Sequence, residues 1–156
     1  MSSILKVDTI QNTGGTTGLT IDSSGRPLTP SRPAFKAHSS ASGWQSFAST
    51  LEVVMPFNAT QHNVGSHWDT SNYRFTPQVA GYYFLYANIR YQSSTTAFDR
   101  IDLSISKNGS TILSARNGNR DYSTCNVSGI VQANGSSDYF DMQSYQASGG
   151  TIAITT

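Results

Sequence analysis

The sequence predicts an all-β chain: a jelly-roll β-sandwich of about ten strands over residues 33–156, preceded by an extended N-terminal attachment arm and linker over residues 1–32. Three observations carry this. Charged residues make up only 12% of the chain, and Gly, Ser, Thr and Asn take the places helix formers would need, which suits short strands and tight turns. Asn-Gly pairs begin at Asn108, Asn117 and Asn134, and Asn-Gly supplies the positive φ angles of two-residue hairpin turns. The run 82–91 contains no Gly or Pro and is dense in aromatics, the composition of a long central strand. At 156 residues, one domain plus an arm is the natural count.

The arm comes first. Ile4, Val7 and Ile10 are the apolar residues of a short opening segment, residues 12–18 form a Gly- and Thr-rich loop, and Leu19-Thr20-Ile21-Asp22 alternates as a short strand does. Ser24-Gly25 and residues 27–33 read as a turn and an extended linker. So little apolar surface does not fold alone. The arm is expected to be held by its own trimer mates or by a larger assembly, with Ile4, Leu5, Val7, Ile10, Leu19 and Ile21 making the contacts. The N-terminus has no basic region followed by a hydrophobic stretch, so no signal peptide is expected.

From Pro33 onward, strands are expected at about 34–38, 44–47, 50–57, 62–68, 73–76, 81–92, 99–107, 111–117, 122–133, 138–147 and 150–155. The three Asn-Gly pairs mark hairpins. Strands of this number and spacing fit two packed sheets. No repeat of solenoid period is present.

Residues 67–91 organise the domain. Asp69, Ser71 and Asn72 can bond their own backbone in a turn, and Pro77 and Gly81 set special dihedrals. The strand that follows has an odd face of Tyr83, Leu85, Ala87, Ile89 and Tyr91, and an even face of Tyr82, Phe84 and Tyr86, then Asn88 and Arg90. Both faces start apolar, so both need cover, either from two layers of one domain or from one domain and a partner subunit. Phe35, Phe75, Tyr83 and Leu85 are assigned to the core.

The run Trp68-Asp69, Arg74-Phe75-Thr76, Val79-Ala80-Gly81, Tyr83 resembles the signature of the complement component 1q / tumour necrosis factor superfamily. That signature reads roughly Tyr-Asp, Thr-Gly, Phe-Thr, Pro, Val, Gly, Tyr, Phe. Flanking matches are Pro33-Ala34-Phe35, similar to the opening strand, Phe57-Asn58 with Asn63 and Gly65, similar to the approach to the signature, and Leu103 with Lys107-Asn108-Gly109, similar to a hairpin. The resemblance covers about residues 33–147. Trp68 stands for the usual Tyr, Asn72-Tyr73 for Thr-Gly, and Leu85 for Phe; Pro77 comes one position early. The closing aromatic strand of the family is absent, and Thr151-Ile152-Ala153-Ile154-Thr155 is its shortened counterpart. The resemblance implies a homotrimer in which Tyr82, Phe84 and Tyr86 meet a neighbouring subunit. A second resemblance lies in the arm. Ser-Ser-Ile-Leu-Lys-Val-Asp-Thr-Ile-Gln and Leu-Thr-Ile-Asp-Ser-Ser-Gly-Arg look like the N-termini of tailed-bacteriophage structural proteins, where they precede fibre or decoration domains.

Other chemistry is thin. Net charge is +1, so no electrostatic footprint points to nucleic acid or an anionic membrane. No apolar run is long enough to span a bilayer as a helix. Cys125 is the one cysteine and reads as a small buried strand residue. Four Asn-x-Ser/Thr matches read as chance in so polar a chain. His62, His67 and Asp69, with His38 further off, are proper metal-ligand types, yet their spacing fits no strong site, and Asp69 reads as a turn residue. No nucleophile elbow is present, and the Asp99-Arg100 and Asp102 carboxylates read as surface pairs. No catalytic residue, metal or cofactor is expected. The expected function is that of a non-enzymatic virion structural protein of a bacteriophage: a trimeric jelly roll anchored through residues 1–32 to capsid or tail proteins, as capsid decoration or a short fibre. The alternative is a carbohydrate-binding module at a tail-fibre tip, recognising host surface glycan through Trp44, Tyr122 and Tyr145.

Overall fold

The structure, a computed structural model, describes residues 4–41, 45–48, 52–92, 100–118 and 122–155. Every regular element among them is a strand. In chain order they are β1 (Thr9–Gln11), β2 (Thr17–Ile21), β3 (Pro27–Leu28), β4 (Ala34–His38), β5 (Gln45–Phe47), β6 (Val53–Val54), β7 (Ala59–Val64), β8 (Trp68–Asp69), β9 (Arg74–Phe75), β10 (Ala80–Gln92), β11 (Ile101–Lys107), β12 (Ser110–Asn117), β13 (Tyr122–Asn134), β14 (Phe140–Gln146) and β15 (Ile152–Thr155).

Two sheets make the sandwich. One runs β13-β10-β15-β5; the other runs β12-β11-β14-β9-β8, with β6 also on β14. All pairings are antiparallel, and β10 and β13 pair without a break from Ala80↔Asn134 to Gln92↔Tyr122. Two strands of equal length, each without Gly or Pro at an interior pairing position other than Gly81 and Gly129, make the long ladder possible. The odd residues of β10 turn inward: Leu85, Ala87, Ile89 and Tyr91 are buried, with Cys125, Val127, Val131 and Ala133 beside them on β13. Ile101, Leu103, Ile105, Phe140 and Met142 meet them from the other sheet. This alternation is the period-2 pattern of strands with one face on a core.

The β4–β7 pair rests on the sandwich through aromatic rings. Phe35 stacks on Trp68 and Phe75, with centroids 4.9 and 4.6 Å away, and Phe75 meets Tyr83 edge-on at 5.4 Å. The Trp68 indole N–H donates to the Phe57 carbonyl at 3.0 Å, so the polar end of this buried ring is satisfied. Phe35 and Tyr83 are half-buried against the core that Phe75 and Leu85 enter fully.

Several expectations are corrected. Asn108-Gly109 closes the β11–β12 hairpin as expected, with φ of 53° and 81°. Asn117 and Asn134 do not close hairpins: β12 and β13, and likewise β13 and β14, lie in opposite sheets. After Asn134 the chain passes between sheets that pack ~10 Å apart. At the second crossing the Asn134 side-chain oxygen accepts from the Ser136, Ser137 and Asp138 amides. Among the described residues of the run 50–57, only Val53–Val54 forms a strand, β6; Pro56 has no N–H to give a ladder. The Phe57 amide instead donates back to the Met55 carbonyl at 2.8 Å. The run 62–68 is broken by Gly65 and Ser66, at φ 77° and 57°. Pro27 and Leu28, expected in a linker, pair with Ile21 and Thr20 at a sheet edge, where a missing donor is tolerated. The arm is thus a three-stranded sheet, β1-β2-β3.

Candidate interaction surface

The even face of β10 is bare. Tyr82, Phe84 and Tyr86 are 74%, 69% and 63% exposed. Phe84 sits directly opposite Ile130 of β13, which is 72% exposed. Tyr82 and Tyr86 lie two residues either side of Phe84 on the same face, so the four form one continuous apolar patch. Gln132 and Ser128 stand opposite the two tyrosines, and Asn88 and Asn126 continue the face as exposed polar residues. A contiguous apolar patch with a polar rim on a small domain marks an interaction site. Sequence reasoning missed Ile130. Its signal was parity: it is the one large apolar residue among outward-facing Thr124, Asn126, Ser128, Gln132 and Asn134.

Arm residues predicted to make contacts divide by depth. Ile4, Leu5, Ile10 and Ile21 are exposed, while Val7 and Leu19 are half-buried. Asn12 and Asp22 fix the two turns of the arm sheet: the Asn12 Oδ1 accepts from the Gly14 and Thr16 amides, and the Asp22 Oδ1 accepts from those of Ser24 and Arg26. The Arg26 backbone and side chain hold the Asp22 carboxyl below its usual range.

Of the three glycan candidates, only the Tyr145 side chain is described. Trp44 and the Tyr122 side chain lie outside the described residues. Tyr145 is half-buried, and the Arg100 guanidinium lies over one face of its ring at 4.9 Å from the centroid.

Asp69, His67, Asp102 and Asp138 serve the fold. Asp69 accepts from the Ser71 and Asn72 amides at 2.8 and 3.1 Å, as a turn residue should, and the Asn72 side chain chiefly holds its carboxyl below the usual range. The His67 ring is buried, and its Nδ1 accepts from the Gln78 amide at 3.2 Å. Among the described residues no three His, Cys, Asp or Glu side chains converge as a metal site. Asp102 is shared by Arg100 and Arg116. Burial works to raise its carboxyl, and the two guanidiniums outweigh it and hold the carboxyl low. Asp138 pairs with Lys107 Nζ at 2.8 Å and accepts from the Asn108 side chain and the Asn134 amide, both at 2.9 Å. Led by Lys107, these donors hold its carboxyl down to about 2. Cys125 is buried, and burial pushes its thiol up, which keeps the sulfur as unreactive thiol.

Similarity to known proteins extends to the fold. The globular domain of the zebrafish complement 1qA protein superposes with a TM-score of 0.52 at 14% sequence identity, covering 79% of this chain and 93% of that one. The chain has the complement 1q-like jelly-roll fold. No family model matches it, and no curated protein does.

Proposed function

We propose that this chain is a non-enzymatic virion structural protein of a tailed bacteriophage, a homotrimeric jelly roll fixed to the particle by residues 1–32. It acts as capsid decoration or as a short appendage. One observation carries the trimer: the Tyr82-Phe84-Tyr86-Ile130 patch, uncovered in the single chain and centred on the longest ladder of the sandwich. A flat patch on a rigid two-strand ribbon suits a closed ring, in which each subunit's patch meets a different surface of its neighbour. The arm supports the attachment. It is a separate small sheet with an exposed Ile4, Leu5 and Ile10, and its wording resembles that of phage structural proteins. Exposed strands and extended segments bind by adding to a partner's sheet, and three arms on one trimer multiply weak contacts by avidity.

The test is the solution mass of the full chain by light scattering, together with co-sedimentation of the protein with phage particles stripped of decoration. A trimer that sediments with particles is expected, and loss of sedimentation on deletion of residues 1–32 would assign the attachment to the arm. A monomer would end the trimer reading. Binding on a glycan array, with no affinity for particles, would instead favour host recognition.

A further inference from the structure

A second feature adjoins the patch. β13 covers one edge of β10 along its whole length. On the other edge β15 covers only Arg90, Tyr91 and Gln92, and no described strand pairs there with residues 80–89. β4 also has a single strand partner, β7. Between these two edges lies a cleft of about 920 Å³, walled by residues 35–38 of β4 and 84–88 of β10. Its floor is core: Trp68, Phe75, Ile105, Phe140 and Met142. The cleft continues the line of β15, whose Thr155 end sits at Arg90.

Two facing strand edges that no described strand covers, over a largely apolar floor, are the binding requirements of an extended chain. Main-chain hydrogen bonds to the edges give affinity, and alternate side chains enter the floor. The five β10 residues along the wall correspond to ~17 Å of strand at ~3.4 Å per residue, a length that five residues in trans would fill.

We infer that this cleft is a strand-binding slot and that its occupant is residues 4–8 of a second copy of the chain. This segment, Ile4-Leu5-Lys6-Val7-Asp8, precedes β1 and belongs to no strand. Leu5, which the slot would bury, is 80% exposed in its own chain. With Leu5 and Val7 directed into the floor, Ile4, Lys6 and Asp8 lie on the opposite face, so no charge enters the core. The donor is a neighbour because the slot is continuous with the bare patch: Phe84 and Tyr86 belong to both. A subunit seated on the patch lies across the slot. The arm sheet β1-β2-β3 stays outside it and remains available to the particle. The inference rests on the trimer of the preceding subsection for the source of the strand.

The experiment uses the full chain with p-benzoylphenylalanine in place of Leu5. These chains are refolded together with unsubstituted ¹⁵N-labelled chains, irradiated, digested and mapped by mass spectrometry. Light–heavy adducts on residues 35–38 or 84–88 are expected. Adducts confined to one copy, adducts elsewhere, or no adduct would each overturn the slot assignment. The mass of the same sample separates the two readings: a trimer without the adduct removes the slot alone, and a monomer removes the trimer as well. As a second measurement, Leu5→Asp should lower the thermal midpoint by about 5 °C or more. Leu5 is so exposed within its own chain that an unchanged midpoint would also refute the inference.

Discussion

Phe84→Asp is the substitution that bears hardest on the proposed trimer. A phenylalanine side chain presents ~200 Å², and Phe84 is 69% exposed in the single chain, which leaves ~140 Å² for a neighbour to cover. At ~25 cal/mol per Å² that is ~3.5 kcal/mol, or ~2.5 powers of ten in the association constant of each contact. A closed ring contains the contact three times, so ~10 kcal/mol of assembly free energy is at stake before the cost of burying a carboxylate is added. Area does not convert to absolute affinity, but the difference between two variants of one surface is the more dependable quantity. Folding should be spared, since the side chain points away from the core. The assay is sedimentation equilibrium on the wild type and the variant from ~1 to ~100 μM, with circular dichroism to establish that both are folded. The wild type should run at three times the chain mass and the variant at the chain mass with an unchanged β spectrum. A folded variant that stays trimeric would refute the assignment of this face, and a monomeric wild type would refute the trimer.

Three further outcomes follow from the interior. Asp138 has its carboxyl held down to about 2 against an ordinary value of 3.8, so its contribution is intact above pH ~4 and is lost as pH falls from there towards 2; an acid titration by circular dichroism should show Asp138→Asn less stable at pH 7 and flatter between pH 4 and 2. At Gly135 an added Cβ would lie 2.1 Å from the Ala80 amide nitrogen, at φ +73°. Gly135→Ala should therefore cost about 2–5 kcal/mol from left-handed strain and overpacking, a fall of about 10 °C in thermal midpoint by calorimetry. The buried Tyr91 hydroxyl shares a 2.6 Å hydrogen bond with Ser144 Oγ, which itself donates to the Asp102 carbonyl at 3.1 Å, so Tyr91 is the donor. Tyr91→Phe should cost about 1 kcal/mol at neutral pH. Burial also pushes the Tyr91 phenol far above its ordinary 10.0. The unfolded chain therefore releases this proton first and stability declines above pH ~10, a decline that denaturant melts should find weaker in the variant.

The sandwich was legible where a strand carries its own pattern. The run read as 81–92 is β10, 80–92, and its odd residues are the core, because the odd face stays apolar as far as Tyr91 while the even face turns polar at Asn88 and Arg90. Only sequence distant from β10 could say what covers its even face, and here the nearest apolar residue across the ladder is Ile130, masked by the polar run around it. Turn residues were legible as turns but not as turn types. Asn108-Gly109 closes a hairpin; Asn134-Gly135 has the same letters and carries the chain between sheets. The difference lies in which strands flank the pair, a long-range fact. Prolines misled in both directions: Pro56 ended a run that reads as continuous strand, and Pro27 entered a strand that reads as linker.

Tyr73 shows how a departure from a motif is absorbed. It stands where the resembled signature has glycine, and it holds φ at 57°, a conformation that costs a side-chain residue roughly 1–2 kcal/mol. Its ring, however, packs against the core, and burying part of a large aromatic returns an amount of the same order. Asn72 before it bonds both Asp69 oxygens, by backbone and by side chain, so the turn gains a carboxamide bond beyond the backbone bond that any residue there could donate. The left-handed position in this turn is thus met by strain offset with packing, as it could equally be met by the residue that avoids the strain.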